Sequence, residues 1–224
     1  MMTFSEIRQE LINNAEEKFR DFSVKIVGTK MPMLGVRTPI VKKLAKQAED
    51  DYLNCVPHYY EEVLVYGFTL GKAESTAKGL FDKLPRYLDF VDCWAAIDSP
   101  ISGMKALKKE REESLAYIDV YLKDIREYHA RFAAVALFNY LDEAHIDGVI
   151  DRYASVKEGR YYVDMAIAWG LSIAAVHFYD KVYAALKEGR FSDFVTRKAI
   201  SKCRDSFRIP LERKRELKEL LKIR

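Results

Sequence analysis

The two tryptophans of the chain, Trp94 and Trp169, lie in the segments FVDCWAAID and YYVDMAIAWGLS. Between them Arg131 opens RFAAVALFNYL, and Asp98 follows Trp94 by one helical turn. On a helix that spacing puts the indole and the carboxylate on one face. Two flat aromatic surfaces, a carboxylate and a guanidinium, offered by successive helices, are the parts needed to grip a sugar-phosphate backbone. Each also has a plainer use. Large aromatics on apolar helix faces are commonly core residues. Asp98, reading as the end of an apolar helix ahead of Ser99-Pro100, suits the cap of a following helix. Arg131, at a helix start, suits an ion pair with Glu127 or Asp92. Its position there is mildly unfavourable unless an anion lies near.

The elements that must position these side chains read as helices throughout, and no stretch reads as a strand. Thr3 and Glu6 form a capping box ahead of a helix with Ile7, Leu11 and Ile12 on its apolar side. Residues 28–39 read as a connection ending in Thr38-Pro39, a cap followed by a proline at the first helical position. Further patterns run from Ile40 to about Asp50, then Glu74 to Lys83, Tyr87 to Ile97, Pro100 to Glu110 and onward to Lys222. A loose repeat aligns Val65, Trp94, Val135, Ile167 and Ile200, separated by 29, 41, 32 and 33 residues. Such a period fits paired antiparallel helices stacked into an α-α superhelix, in which one helix of each pair lines a concave surface. The period is degenerate, and a compact all-α bundle stays open beside it. The expectation is an all-α, single-domain solenoid over residues 1–224.

Composition narrows the function classes. Half of the 224 residues are hydrophobic (49%) and a third charged (32%), with only 10 Gly and 6 Pro, a mixture that suits a soluble helical protein. The longest mostly apolar run, Met165 to Val176, is too short to span a bilayer. The N-terminus enters a helical pattern with no apolar signal core. Cys55, Cys93 and Cys203 are odd in number and widely spaced, so a disulfide framework is not expected and a reducing cytoplasm is. His58, His129, His145 and His177 have no ligand spacing, which argues against a metal site, and no phosphate-binding glycine loop or nucleophile elbow occurs. The net charge of +3 hides an asymmetry. From Lys187 to Arg224 there are 13 Lys/Arg against 6 Asp/Glu; the other 186 residues carry 24 against 28. A basic end attracts a polyanion, although a solvated terminal helix with i,i+4 ion pairs explains the same charges.

In their order and spacing, the loop MPMLGVRTPIVKKLAK, then FVDCWAAIDSP, RFAAVALFNYL, YYVDMAIAWGLS and TRKAISKCRDSFRI, resemble the AlkD-type DNA alkylation repair family, glycosylases built of HEAT-like helical repeats. The likeness spans roughly residues 31–209. It implies that Asp98 is the catalytic carboxylate, that Trp94 and Trp169 pack on the deoxyribose, and that Arg131 holds a DNA phosphate. It further implies hydrolysis of the N-glycosidic bond of cationic alkylated purines of the 3-methyladenine and 7-methylguanine type. The partner would be duplex DNA containing alkylated bases, approached by a monomer without metal or organic cofactor. Two departures stand out: Ser172 occupies the place of a second arginine one turn after Trp169, and residues 27–32 contain no aromatic. The alternatives are a non-catalytic relative that recognises bent or branched DNA by shape, and a helical scaffold for a protein partner.

Overall fold

The computed structural model describes residues 1–223, which fold into α-helices and short 3-10 turns with no strand among them. They divide into two compact units, residues 1–117 and the described residues from 118 onward. The first holds α1 (Phe4–Asn13), α2 (Glu17–Val27), α3 (Thr38–Gln47), α4 (Tyr60–Ala73), α5 (Ala77–Asp89), α6 (Trp94–Ile101) and α7 (Ala106–Lys109), and α8 (Arg111–Leu122) contributes to both. The second holds α9 (Glu127–Ala136), α10 (Ile146–Ala154), α11 (Tyr161–Ala174), α12 (Tyr179–Lys187), α13 (Asp193–Asp205) and α14 (Leu211–Ile223). None of the described helices is long and apolar enough to cross a membrane.

In the first unit, the Thr3/Glu6 capping box starts α1. Arg37, rather than Thr38, caps α3, and Pro39 sits within its first turn. The central element is α4, whose residues from Tyr60 to Gly67 are all buried. It packs against α3, α5 and α6. Its first turn carries two carboxylates with almost no exposure, Glu61 and Glu62. Glu62 takes a bidentate pair of hydrogen bonds from Arg8 of α1, at 2.6 and 3.1 Å, and caps its own helix through the N–H groups of His58 and Tyr59. Glu61 accepts from the backbone of Leu34, Gly35 and Val36. Gly35 has φ +87°, and a Cβ there would lie 2.5 Å from the Glu16 carbonyl, so this tight loop admits only glycine.

The segment around Pro85 and Pro100 corrects the sequence reading. The helices expected over 74–83 and 87–97 are divided elsewhere: α5 runs through Pro85 to Asp89, residues 90–93 leave the helix, and α6 runs from Trp94 through Pro100 to Ile101. A proline inside a helix leaves the carbonyl four residues earlier without its N–H donor. For Pro100 that carbonyl belongs to Ala96, and the buried Tyr87 hydroxyl donates to it. A side chain from α5 thus replaces the lost helix bond, and α6 continues. The arrangement needs close approach: a Cβ on Gly67 would lie 2.5 Å from the Tyr87 hydroxyl and 2.7 Å from Pro100 Cγ. Gly67→Ala is therefore expected to lower unfolding free energy by about 1–3 kcal/mol, the usual cost of overpacking, read as a drop in denaturant midpoint at constant m-value. A midpoint equal to wild type would show that α4 and α6 have slack.

In the second unit α11 packs against α9 and α13. The aligned residues Val135 and Ile200 are buried on α9 and α13, and Ile167 on α11 between them. A second buried tyrosine serves a helix carbonyl here, Tyr153 donating to Ala134 at 2.9 Å. α14 is held on α12 through Tyr179, whose hydroxyl donates to Glu216 at 2.8 Å and whose ring lies under Arg213. Part of the basic C-terminal charge is thus spent on packing.

Candidate nucleic-acid interface

Trp94 is the first residue of α6, and Asp98 lies in its interior, one turn on. Asp98 therefore caps no following helix, which corrects the capping reading. The reason is the Tyr87 hydrogen bond to Ala96 just described, which lets the helix run past Ser99-Pro100 instead of restarting there. Both side chains are partly exposed. The indole N–H donates to the Ile26 carbonyl at 3.2 Å, one of the carbonyls that the last turn of α2 leaves without a helical partner. That bond fixes the ring's edge.

The ground under α6 is fixed by carboxylates. Asp92, just ahead of it, accepts from Thr29 Oγ1 and from the Lys30 N–H, both at 2.7 Å. Together with Glu61 it pins the connection between α2 and α3 at both ends. Between Asp92 and Trp94 sits Cys93, whose thiol is pushed up to about 12, chiefly by burial. It is no thiolate nucleophile at neutral pH. Cys203 is likewise raised to about 12 by burial, and burial raises Cys55 as well. Tyr87 is raised well above its usual range, first by burial, with nearby charge including Asp98 adding to it. Among the described groups, then, the carboxylate of Asp98 is the side chain of α6 suited to electrostatic work. No cluster of three or more metal-ligating side chains occurs among the described residues. His145, at the start of α10, instead pairs with Asp142 at 2.7 Å.

In the second unit Arg131 does not open a helix. It is the fifth residue of α9 and is 5% exposed. Its Nη1 donates to the Tyr162 carbonyl, and Glu127, one turn earlier on α9, accepts from the Tyr162 N–H at 2.7 Å. Both backbone groups of Tyr162 are thus held from α9, and the guanidinium serves the packing of α9 against α11.

Trp169 is partly exposed and rests edge-on against Phe138, with ring centroids 4.8 Å apart. It lines an open groove of about 360 Å³ together with Ser172, Lys202, Asp205, Ser206 and Arg208. Ser172 donates its hydroxyl proton to the Trp169 carbonyl at 2.7 Å and carries no charge for an anion. The groove's cations come from α13 and the turn after it: Lys202, and Arg208, whose Nη2 lies 3.0 Å from His177 Nε2. Lys202 and Arg208 are functional candidates missed by the sequence reading. Both lie in the TRKAISKCRDSFRI segment, but nothing in their spacing points to Trp169, more than thirty residues away.

A family model described as DNA alkylation repair enzyme matches residues 7–203, most of the chain. No curated protein and no solved structure matches.

Proposed function

The chain belongs to the DNA alkylation repair enzyme family, and from that premise we propose that it is a glycosylase. Its reaction would be hydrolysis of the N-glycosidic bond of cationic alkylated purines in duplex DNA, on HEAT-like repeats forming an α-α superhelix. The observation that supports this reading best is the pairing on α6: a partly exposed carboxylate, Asp98, one turn from an indole whose edge is anchored.

The chemistry asks little else. An alkylated purine already carries a positive charge, so when the bond between C1′ and the base nitrogen breaks, its electron pair neutralises the ring. No proton donor and no cofactor is required for departure. What rises in energy is the sugar, which gains oxocarbenium character. Asp98 stabilises that positive charge electrostatically and orients the water that adds to C1′, whose proton passes to solvent. The π face of Trp94 favours the same developing charge when packed on the sugar, and the resemblance implies a like part for Trp169. Lys202 and Arg208, beside Trp169, hold phosphates and give register without reading sequence. Arg131, for which the resemblance implies a phosphate contact, keeps a narrower part, since most of its guanidinium is buried.

A second reading, a relative that binds bent or branched DNA without excising a base, is favoured by one observation: Ser172, where the resemblance implies an arginine, spends its hydroxyl proton on the Trp169 carbonyl. Incubating the purified protein with methylated duplex DNA and measuring released 3-methyladenine and 7-methylguanine separates the two. Release supports the glycosylase. Retention of every base, with tight, salt-sensitive binding to branched DNA, supports the other.

A further inference from the structure

Away from Trp94 and Asp98, the first unit has a second feature that sequence order does not suggest. A cleft of about 340 Å³ lies between α3, α4 and the turn that follows α6, lined by Lys42, Lys46, Phe68, Lys72, Ser102 and Lys105 among others. Its described lining residues bring four ammonium groups together and include no carboxylate. Like charges gathered in one concavity repel each other and raise the local positive potential. Packing does not require the arrangement.

The plain account of these lysines covers half of them. Lys46 and Lys72 sit in the last turns of α3 and α4, where a cation complements the helix dipole. Lys72 also donates to the Ala48 carbonyl at 2.7 Å. Lys42, however, is in the interior of α3, with its ammonium 5.3 Å from the Phe68 ring centroid. Lys105 precedes the first turn of α7, the end at which a cation gains nothing from the dipole. Lys42, Lys46 and Lys105 are exposed and make no ion pair with a described residue. Lys42 and Lys46 are one turn apart on α3, about 6 Å along its axis, within reach of neighbouring phosphates on one strand.

We propose that this cleft is a phosphate clamp for duplex DNA, in which Lys42, Lys46 and Lys105 neutralise backbone phosphates. The proposal rests on the DNA-repair reading above and extends it to a surface that does no chemistry. The cleft's floor continues α6: Ser102 caps the helix that carries Asp98, one turn earlier. A duplex held by the lysines is therefore anchored to the same short helix that presents the carboxylate. Contacts of this kind position the duplex and leave base identity unread.

The experiment is a salt titration of binding to an unmodified duplex by the full chain, comparing wild type with the triple variant Lys42→Ala, Lys46→Ala, Lys105→Ala. Each lost phosphate contact lowers the slope of log K against log salt by about one. The expected result is a slope smaller by about three and an affinity at about 50 mM salt weaker by at least tenfold. The corresponding triple arginine variant is expected to bind like wild type, because charge rather than lysine itself is what the clamp needs. An alanine variant with unaltered slope and affinity overturns the clamp, and so does loss of binding that arginine does not rescue. Competition by inorganic phosphate at millimolar concentration, with no slope change in the alanine variant, would assign the cleft to a small anion and also overturn it. If the wild type releases no base, the catalytic reading fails alone, since the slope on unmodified duplex still decides the clamp.

Discussion

Asp98→Asn is expected to slow single-turnover release of alkylated purine from methylated duplex on the order of 10²–10³-fold, the usual effect of removing one preorganised stabilising group. Asparagine keeps the size and most of the polarity of the carboxylate and removes the charge. The loss falls on the transition state, because the sugar carries its full positive character only there. Duplex affinity should stay within about twofold, since phosphate contacts dominate binding and Asp98 makes none. Base release followed by chromatography, with a parallel binding measurement, reads both quantities. Two neighbours serve as comparisons. Cys93→Ala should leave the rate unchanged, because its thiol, pushed up to about 12, stays protonated. Trp94→Ala should slow release and also free the Ile26 carbonyl that the indole now satisfies. An Asp98→Asn protein that releases base at the wild-type rate would remove the carboxylate from the mechanism.

Local signals in the sequence carried the helices well. The Thr3/Glu6 box starts α1, and Trp94 and Asp98 do share α6. Of the aligned positions, Val65, Val135, Ile167 and Ile200 are buried on α4, α9, α11 and α13, whereas Trp94 opens α6 and is partly exposed. These features depend on residues within a turn or two of one another. Apart from the one-residue shift of the α3 start from Thr38 to Arg37, the errors involved long-range partners. Pro100 looked like a helix start because the tyrosine hydroxyl that replaces its missing bond comes from a different helix. Arg131 looked available to a ligand because Tyr162, whose carbonyl it binds, lies in a later helix. Lys202 and Arg208 look like surface charges until α13 is laid beside α11, where they flank Trp169. The lysine cleft draws on three separated segments, each of which alone reads as a solvated face. Charge and aromatic placement across helices was illegible because it depends on which helix faces which.

Glu61 gives the largest expected effect on stability. Its side chain is 1% exposed, yet it holds a carboxylate against three backbone N–H groups, at 3.0 Å from Leu34, 2.7 Å from Gly35 and 3.2 Å from Val36. Those donors satisfy its oxygens, and it sits in the first turn of α4, the end where the dipole favours a carboxylate. Glu61→Ala removes the acceptor and leaves the donors facing a cavity. The expected loss is about 3–5 kcal/mol, since each buried donor left without an acceptor costs about 1–3 kcal/mol and the three are only partly re-satisfied. Glu61→Gln keeps one acceptor oxygen but turns an amide N–H₂ toward backbone donors, and should lose about 1.5–3 kcal/mol. Denaturant midpoints at unchanged m-value would give both numbers. The consequence reaches α6, because the loop Glu61 holds is tied at its other end to Asp92, two residues ahead of Trp94. Base release by Glu61→Gln, measured well below its unfolding midpoint, should therefore fall while duplex affinity holds. Wild-type stability in Glu61→Ala would mean that water satisfies the loop's donors as well as the carboxylate does, and that this loop plays no part in fixing α6.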